Sequence, residues 1–345
     1  MAIPFKNPNP SYRVNVSKEK TAITKHFNKR AVPVLQPGRL LLATWNIANL
    51  GVQKRTEAAL KVIAHTLKRF DLIAVQEVNA KFGSFVDIVN YMGSAFDYVM
   101  NDTAGNAERL AFIYRKSKVS IRNLFGEVAL RQHEYPKRNV TVNYTYYSQK
   151  KKAKYKDVKF IAFDRNPFIG SFRAGIIDFT LVNVHLYFGK FQNSSNPVNH
   201  AKYCRRVLEI FALSRWASRR TNETTTYDKD ILLLGDMNVP SMEPTESTYK
   251  ALTKFGMKPI EYLTKTGGTN LGNDKTYDQM AFAPGSIDNK VLDFGVFDFD
   301  NAVFSDKWSA LSNKFNEKKA ISKFNGYVKH HFSDHRPVWV ELDIN

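Results

Sequence analysis

The chain has 345 residues, 43% of them hydrophobic and 13% aromatic, enough for one large domain or two small ones with a sizeable core. Lysine and arginine number 51 against 32 acidic residues, a formal charge of +19, which favours a polyanionic partner: nucleic acid first, an anionic membrane surface second. A single cysteine, Cys204, excludes an intrachain disulfide and a cysteine-based zinc site, and no stretch reaches the roughly 18 to 20 apolar residues of a membrane span.

Residues 1–38 read as a basic N-terminal extension, with a short helix near Lys18 to Arg30 that Pro33 to Gly38 breaks. No apolar block precedes a small-residue cleavage site there, so a cytoplasmic protein is expected, with secretion lacking such a signal left open. Residues 39–345 read as one domain. Its first strand runs from Arg39 to Trp45 and stops at Asn46. A helix follows near Gln53 to Arg69, with Ala58, Leu60, Val62, Ile63 and Leu67 close to 3.6-residue spacing. Asp71 to Val75 is a buried strand ending at Gln76-Glu77. A helix near Phe85 to Met92 and a strand from Arg109 to Tyr114 come next.

Val140, Val142, Tyr144 and Tyr146 alternate as strand residues do, and the pattern predicts a hairpin returning along Val158 to Phe163. Its tip would be Lys150, Lys151, Lys152, Lys154 and Lys156. Further strands are expected at Ile176 to Leu186, Ile231 to Leu234, Tyr277 to Phe282 and Pro337 to Asp343. Helices are expected at Asn199 to Arg219 and, rich in lysine, at Asp306 to Lys323. Irregular alternation of strands and helices points to an α/β or α+β domain: sheets packed together with helices outside.

Several of these apolar strands stop abruptly at residues able to bind a metal or move a proton. Asn46, Glu77, His185, Asp236 and Asn238 follow strands, and Asp334-His335 precede the last one. A strand fixes the position of its end, and the loops beyond leave room for a substrate. Singly, each has a blander reading: a turn former, a solvated charge or a half-buried histidine. Jointly they supply what hydrolysis of a phosphodiester needs. That is oxygen ligands for a hard divalent cation, a group to deprotonate water and a group to protonate the leaving oxygen.

The segments Thr44-Trp45-Asn46-Ile47, Gln76-Glu77-Val78, Val184-His185-Leu186, Gly235-Asp236-Met237-Asn238 and Ser333-Asp334-His335-Arg336-Pro337 resemble, in order, the motifs of the endonuclease/exonuclease/phosphatase superfamily. The likeness spans about residues 40 to 343. Three shorter segments resemble the deoxyribonuclease I branch: Glu108-Arg109 before a strand, Arg165-Asn166-Pro167 and Tyr277-Asp278 before a strand. The resemblance implies two central β-sheets packed face to face and flanked by helices. It implies Mg²⁺, or alternatively Mn²⁺ or Ca²⁺, among Glu77, Asn46 and Asp334. Asp236 and Asn238 would hold the attacking water and the phosphate. His185 and His335 would flank that phosphate with Glu108 and Asp278 as carboxylate partners, and Arg165 would contact a phosphate.

The activity so implied is a metal-dependent phosphodiesterase, foremost a sequence-nonspecific DNA endonuclease leaving 5′-phosphate ends. The alternatives are an abasic-site repair nuclease, a phosphoinositide or sphingomyelin phosphoesterase and, remotely, a non-catalytic nucleic-acid-binding protein. Two departures bear on the substrate. The branch has arginine where this chain has Asn79 and tyrosine where it has Asn106, and both of those side chains enter the minor groove. The basic hairpin offers a substitute grip, since lysines neutralise phosphates and tyrosines stack on unpaired bases. Nothing in the sequence points to a partner protein.

Overall fold

A computed structural model describes residues 3–103, 105–136, 140–146, 149–155, 159–189 and 197–345. The chain opens with α1 (Val16–Lys29), β1 (Arg39–Leu50), α2 (Glu57–Leu67), β2 (Leu72–Asn79), α3 (Gly83–Met92), β3 (Phe96–Met100), β4 (Glu108–Arg115) and β5 (Val119–Glu127). A ribbon of β6 (Val140–Tyr146) and β7 (Gln149–Tyr155) follows. Then come β8 (Phe168–Ala174), β9 (Ile177–His185), α4 (Pro197–Asn222), β10 (Ile231–Asp236), α5 (Ser247–Thr253), β11 (Lys258–Pro259), α6 (Leu263–Thr266) and β12 (Asp278–Phe282). The chain closes with β13 (Val291–Val296), α7 (Ser305–Ser312), α8 (Glu317–His331) and β14 (Val338–Asp343).

Two six-stranded sheets form the centre, in the orders β13-β14-β1-β2-β4-β3 and β11-β12-β10-β9-β8-β5. They pack face to face because their strands alternate. Leu40, Leu42, Leu72, Ala74 and Phe112 of the first sheet meet Phe172, Leu181, Leu232, Leu234 and Met280 of the second. The opposite faces are covered by helices, as an apolar sheet face must be. Ile23 and Phe27 of α1, Val62 and Ile63 of α2, and Phe324 and Val328 of α8 share the outer core of the first sheet. Val207, Leu208 and Ile210 of α4 cover the second. The expected two-sheet sandwich flanked by helices is therefore the architecture found. The segment before β1 joins it: α1 is capped by Asn15, and its Ile23 and Phe27 are buried.

Three local expectations are corrected. The lysine-rich stretch near residue 306 is two helices, broken between Ser312 and Glu317, with Asn316 capping the second through the Lys319 amide. Residues 159–163 form no strand, so the hairpin expected there is misplaced. The lysine run is itself the return strand: along the backbone, Lys150 pairs with Thr145, Lys151 with Tyr144, Lys152 with Asn143 and Lys154 with Thr141. Cross-strand pairing overrides the low strand preference of lysine. Lys156, the remaining lysine of the predicted tip, lies outside the described residues. No helix among the described residues is long and apolar enough to cross a membrane.

The end of α8 carries an unusual buried histidine. His331 is enclosed by Tyr12, Phe304 and His330 rings, and neither ring nitrogen has a hydrogen-bond partner among the described residues. Burial, then the neighbouring His330 and Arg55, push it down to about 4. A histidine depressed in the folded state stabilises the fold above its ordinary value near 6.5, and that stability is lost as pH falls through about 4. Replacing His331 with leucine is expected to remove up to roughly 3 kcal/mol of acid-dependent destabilisation across that window. Urea unfolding at several pH values checks this; parallel wild-type and variant stability curves between pH 7 and 4 would contradict it.

Candidate active site

Strand register assembles most of the site. In the second sheet, Asp236 at the end of β10 is the register partner of His185 on β9 and of Asp278 on β12, so three titratable residues stand in one row. Gly235 allows this close row: its φ is +134°, and a Cβ there would lie 2.2 Å from the Val184 carbonyl oxygen. In the first sheet Asn46 pairs with Gln76, and the chain kinks at Glu77, whose φ is +62°. Glu108 opens β4 opposite Asn79. Asp334 and His335 come from the turn between α8 and β14, where Asn270 bridges to His335.

Across the gap between the sheets, Asn46 Nδ2 donates to Asp236 Oδ2 and to Glu77 Oε1, each at 3.0 Å. Glu77 Oε2 accepts the Asn49 amide at 2.6 Å, and Asp236 Oδ1 accepts the Asn238 amide at 3.0 Å. Two imidazoles complete the cluster. His185 Nδ1 lies 2.9 Å from Glu108 Oε2, and His335 Nδ1 lies 2.8 Å from Asp278 Oδ2. Their Nε2 atoms both face Asp236 Oδ2, at 3.5 Å for His185 and 3.8 Å for His335. Each carboxylate holds its ring in one orientation and leaves Nε2 for other work.

Charge follows from this geometry. Burial opposes ionising His335, but Asp278 and Asp236 outweigh it and carry the imidazole well above its ordinary range. His185 is likewise raised: burial and Arg165 oppose the charge, while Glu108 and Asp236 overcome them. Burial alone would raise Glu108, yet His185 and Arg165 hold it down at about 2.

Arg165, expected at a phosphate, pairs in this structure with Glu108 and Asp164. Its Nε donates to Glu108 Oε2 at 2.6 Å, its Nη2 to Glu108 Oε1 at 3.1 Å, and its Nη1 to Asp164 Oδ2 at 3.0 Å. The guanidinium orients Glu108 and so, at one remove, His185. Asn238 gives its Nδ2 to the Leu186 carbonyl at 2.9 Å. Asp334 is half-buried, with its charge felt at Arg55, His335 and Tyr277. Asn79 and Asn106 both bond within the chain, to the Glu77 carbonyl and to Asp164. The paired backbone carrying Lys150, Lys151, Lys152 and Lys154 lies on the ribbon, apart from the two sheets.

Two arginines escaped sequence reading. Arg55, beside Glu77 and Asp334, donates to the Ala48 and Phe332 carbonyls, and burial lowers it to about 10. Arg206 of α4 donates to the Asn238 carbonyl at 3.0 Å, anchoring that turn. An arginine within the apolar turns of a predicted helix, as in Arg206-Val-Leu-Glu-Ile-Phe211, is the only signal that marked it.

The donor set also fits a hard cation. Asn46 Oδ1 is buried and has no donor among the described residues, and it sits on the residue that binds Glu77. A buried carbonyl oxygen beside a carboxylate, with Asp334 close by, is the oxygen-rich chemistry that Mg²⁺ takes. Asp236, Asp278 and His335 also lie within 4.8 Å of one another. There the 2.8 Å contact between His335 and Asp278 is a hydrogen bond and leaves no room for an ion between them.

No protein-family model and no curated protein matches the sequence. Solved structures do match. An endonuclease/exonuclease/phosphatase family protein of Bacteroides thetaiotaomicron superposes over 89% of this chain and 95% of its own, with a TM-score of 0.50 and 17% identity. The human Nocturnin catalytic domain, solved with a bound sulfate anion, covers 90% of this chain and 97% of its own, with a TM-score of 0.50 and 13% identity. The chain has the endonuclease/exonuclease/phosphatase fold. At these identities the likeness is one of fold, and the chemistry must be argued from the site.

Removing one partner of a buried ion pair leaves the other charge stranded, at a cost of about 3 to 5 kcal/mol. Arg165 and Glu108 are 11% and 6% exposed, so Arg165→Ala is expected to lose stability in that range, and Arg165→Lys, which keeps a cation beside Glu108, to lose less. Denaturant unfolding checks this; a loss below about 1 kcal/mol would mean that Glu108 finds solvent or another partner.

Proposed function

We propose that this chain is a divalent-metal-dependent phosphodiesterase acting on nucleic acid, with DNA favoured as substrate and Mg²⁺ as the metal. One observation carries the reading: two imidazoles, each backed by its own carboxylate, converge on a single oxygen of Asp236. Metal sites built for structure do not need two such pairs, whereas hydrolysis needs both a proton acceptor and a proton donor at the phosphate.

In the proposed reaction water attacks phosphorus in line, forming one P–O bond while the bond to the 3′ oxygen breaks and a 5′-phosphate remains. Asp236 takes the proton from water, held in place by the Asn46 amide and the Asn238 backbone amide. One imidazole gives its Nε2 proton to the departing 3′ oxygen. The other donates a hydrogen bond to a non-bridging oxygen, where charge accumulates. Glu108 and Asp278 keep both rings aimed, and Arg165 keeps Glu108 in place. A bound Mg²⁺, held by Asn46, Glu77 and Asp334, would neutralise phosphate charge and lower the barrier further.

The formal charge of +19 supports a polyanionic substrate. The sulfate held by the Nocturnin domain, a tetrahedral dianion like phosphate, supports anion chemistry on this fold. With Asn79 and Asn106 bonded internally, the proposed enzyme lacks the groove-entering side chains of the deoxyribonuclease I branch, so it should discriminate weakly between duplex and single strand.

Plasmid nicking with Mg²⁺ tests the reading. EDTA is expected to abolish it, and His335→Ala or Asp236→Asn to slow it by about 10² to 10⁴. Nicking that survives both EDTA and His335→Ala would sink the mechanism. A panel of duplex, single-stranded and abasic DNA, RNA and inositol phosphates then ranks the substrates.

A further inference from the structure

A group of lysines without carboxylate partners among the described residues lies away from the catalytic row. The N-terminal segment crosses α7 and α8 and encloses a cavity of about 680 Å³. Lys6, Lys307, Lys314, Lys323 and Lys329 line it, and no carboxylate does. None of the five forms an ion pair within the described residues. The segment is tied down rather than draped: Phe5 donates its amide to Gln53 at 2.7 Å, and Tyr327 donates its hydroxyl to the Pro10 carbonyl at 2.5 Å.

Aromatic rings hold several of these ammonium groups without cancelling their charge. Lys307 sits 4.2 Å from the Tyr327 ring centre, Lys323 5.2 Å from Phe315 and Lys329 5.2 Å from Phe5. Five like charges around one concavity repel one another, and a polyanion entering it relieves that repulsion. We propose that this cavity binds the backbone phosphates of a nucleic-acid strand, several nucleotides from the scissile bond.

A strand is favoured over an anionic membrane because no exposed large apolar side chain lines the cavity to enter a lipid surface; the exposed Trp308 and Ile321 line a separate depression. The cavity also lies along the helix that precedes Asp334 and His335. Lys323 and Lys329 stand on α8, which ends three residues before Asp334, and Lys323 to His331 spans about 12 Å along the helix. A strand seated on the lysines needs only a few nucleotides, at about 3.4 Å each, to reach His335. The inference rests on the nucleic-acid reading above and adds where the strand is gripped.

Gly326 supplies a clean test. It lines the cavity on α8, and a Cβ built there meets nothing within 4 Å, so alanine fits without a clash and a longer side chain starts from open space. Binding of a fluorescent single-stranded oligonucleotide to the full chain is measured by anisotropy in EDTA over a salt series. Gly326→Glu and the double variant Lys323→Glu/Lys329→Glu are expected to weaken binding by about fivefold per lost phosphate contact at 0.1 M salt and to flatten the salt slope. Gly326→Ala should bind as the wild type does. Wild-type affinity in both charge variants would overturn the proposal, as would loss of binding to phosphatidylserine vesicles with DNA binding unchanged. Hydrolysis of bis(p-nitrophenyl) phosphate by the wild type with Mg²⁺ tests the catalytic reading separately. A chain that binds DNA through the lysines yet hydrolyses no phosphodiester would keep this inference and end that reading.

Discussion

The site depends on how the two sheets are aligned, and a buried amide contact fixes that alignment. Gln76 of β2 donates from Nε2 to Asn183 Oδ1 of β9 at 2.7 Å, and Asn183 in turn donates to the Val75 and Ala111 carbonyls of the first sheet. Both amides sit in a largely apolar interface, where an unpaired polar group costs more than a paired one gains. A slip of either sheet would strand them. Gln76 is the register partner of Asn46 and the neighbour of Glu77; Asn183 lies two residues before His185. The alignment that pairs the two amides therefore also brings Asn46 to Asp236 and sets His185 beside Glu108.

Within this frame the site is built from charges that are buried but matched. Glu108 is balanced by His185 and Arg165, and Asp278 by His335. Such pairs contribute little net stability, because desolvation offsets the attraction. Their consequence is directional: each imidazole has Nδ1 held by a carboxylate, and both Nε2 atoms face Asp236. Two of the residues with left-handed backbone lie here: Glu77 and Asn238 adopt positive φ of +62° and +55°, with the Glu77 carboxylate accepting the Asn49 amide and the Asn238 amide donating to Asp236.

The positive charge of the chain is distributed by a different logic. Arg165, Arg206 and Arg336 are spent on internal carboxylates and carbonyls, since a planar guanidinium can satisfy several acceptors in a buried turn. Lys6, Lys307, Lys314, Lys323 and Lys329 instead gather around α7 and α8 with no carboxylate partner among the described residues. Buried arginines thus hold the turns around the site, while this group of lysines stands outside it.

The sequence alone determined which apolar strands carry the site. An apolar run such as Ile231 to Leu234 must be buried, and His185 and Asp236 do close β9 and β10, whereas β1 runs on past Asn46 to Leu50 and β2 past Glu77 to Asn79, so those two expected strand ends are corrected; only the joint pattern, not any residue singly, pointed to a site. The sequence also marked α2 through helical spacing, α4 through its apolar-rich turns and α1 as a short basic helix. Short or mixed strands such as Phe96–Met100 and Val291–Val296 carried too little pattern to read, and the lysine run of β7 opposed its own local preference. Only the tertiary structure decided the pairing of functions. Glu108 and His185 are 77 residues apart, and the pairing of Arg165 with Glu108 spans 57 residues. Side-chain partners across a sheet sandwich are set by register and packing over long loops, which no local pattern encodes.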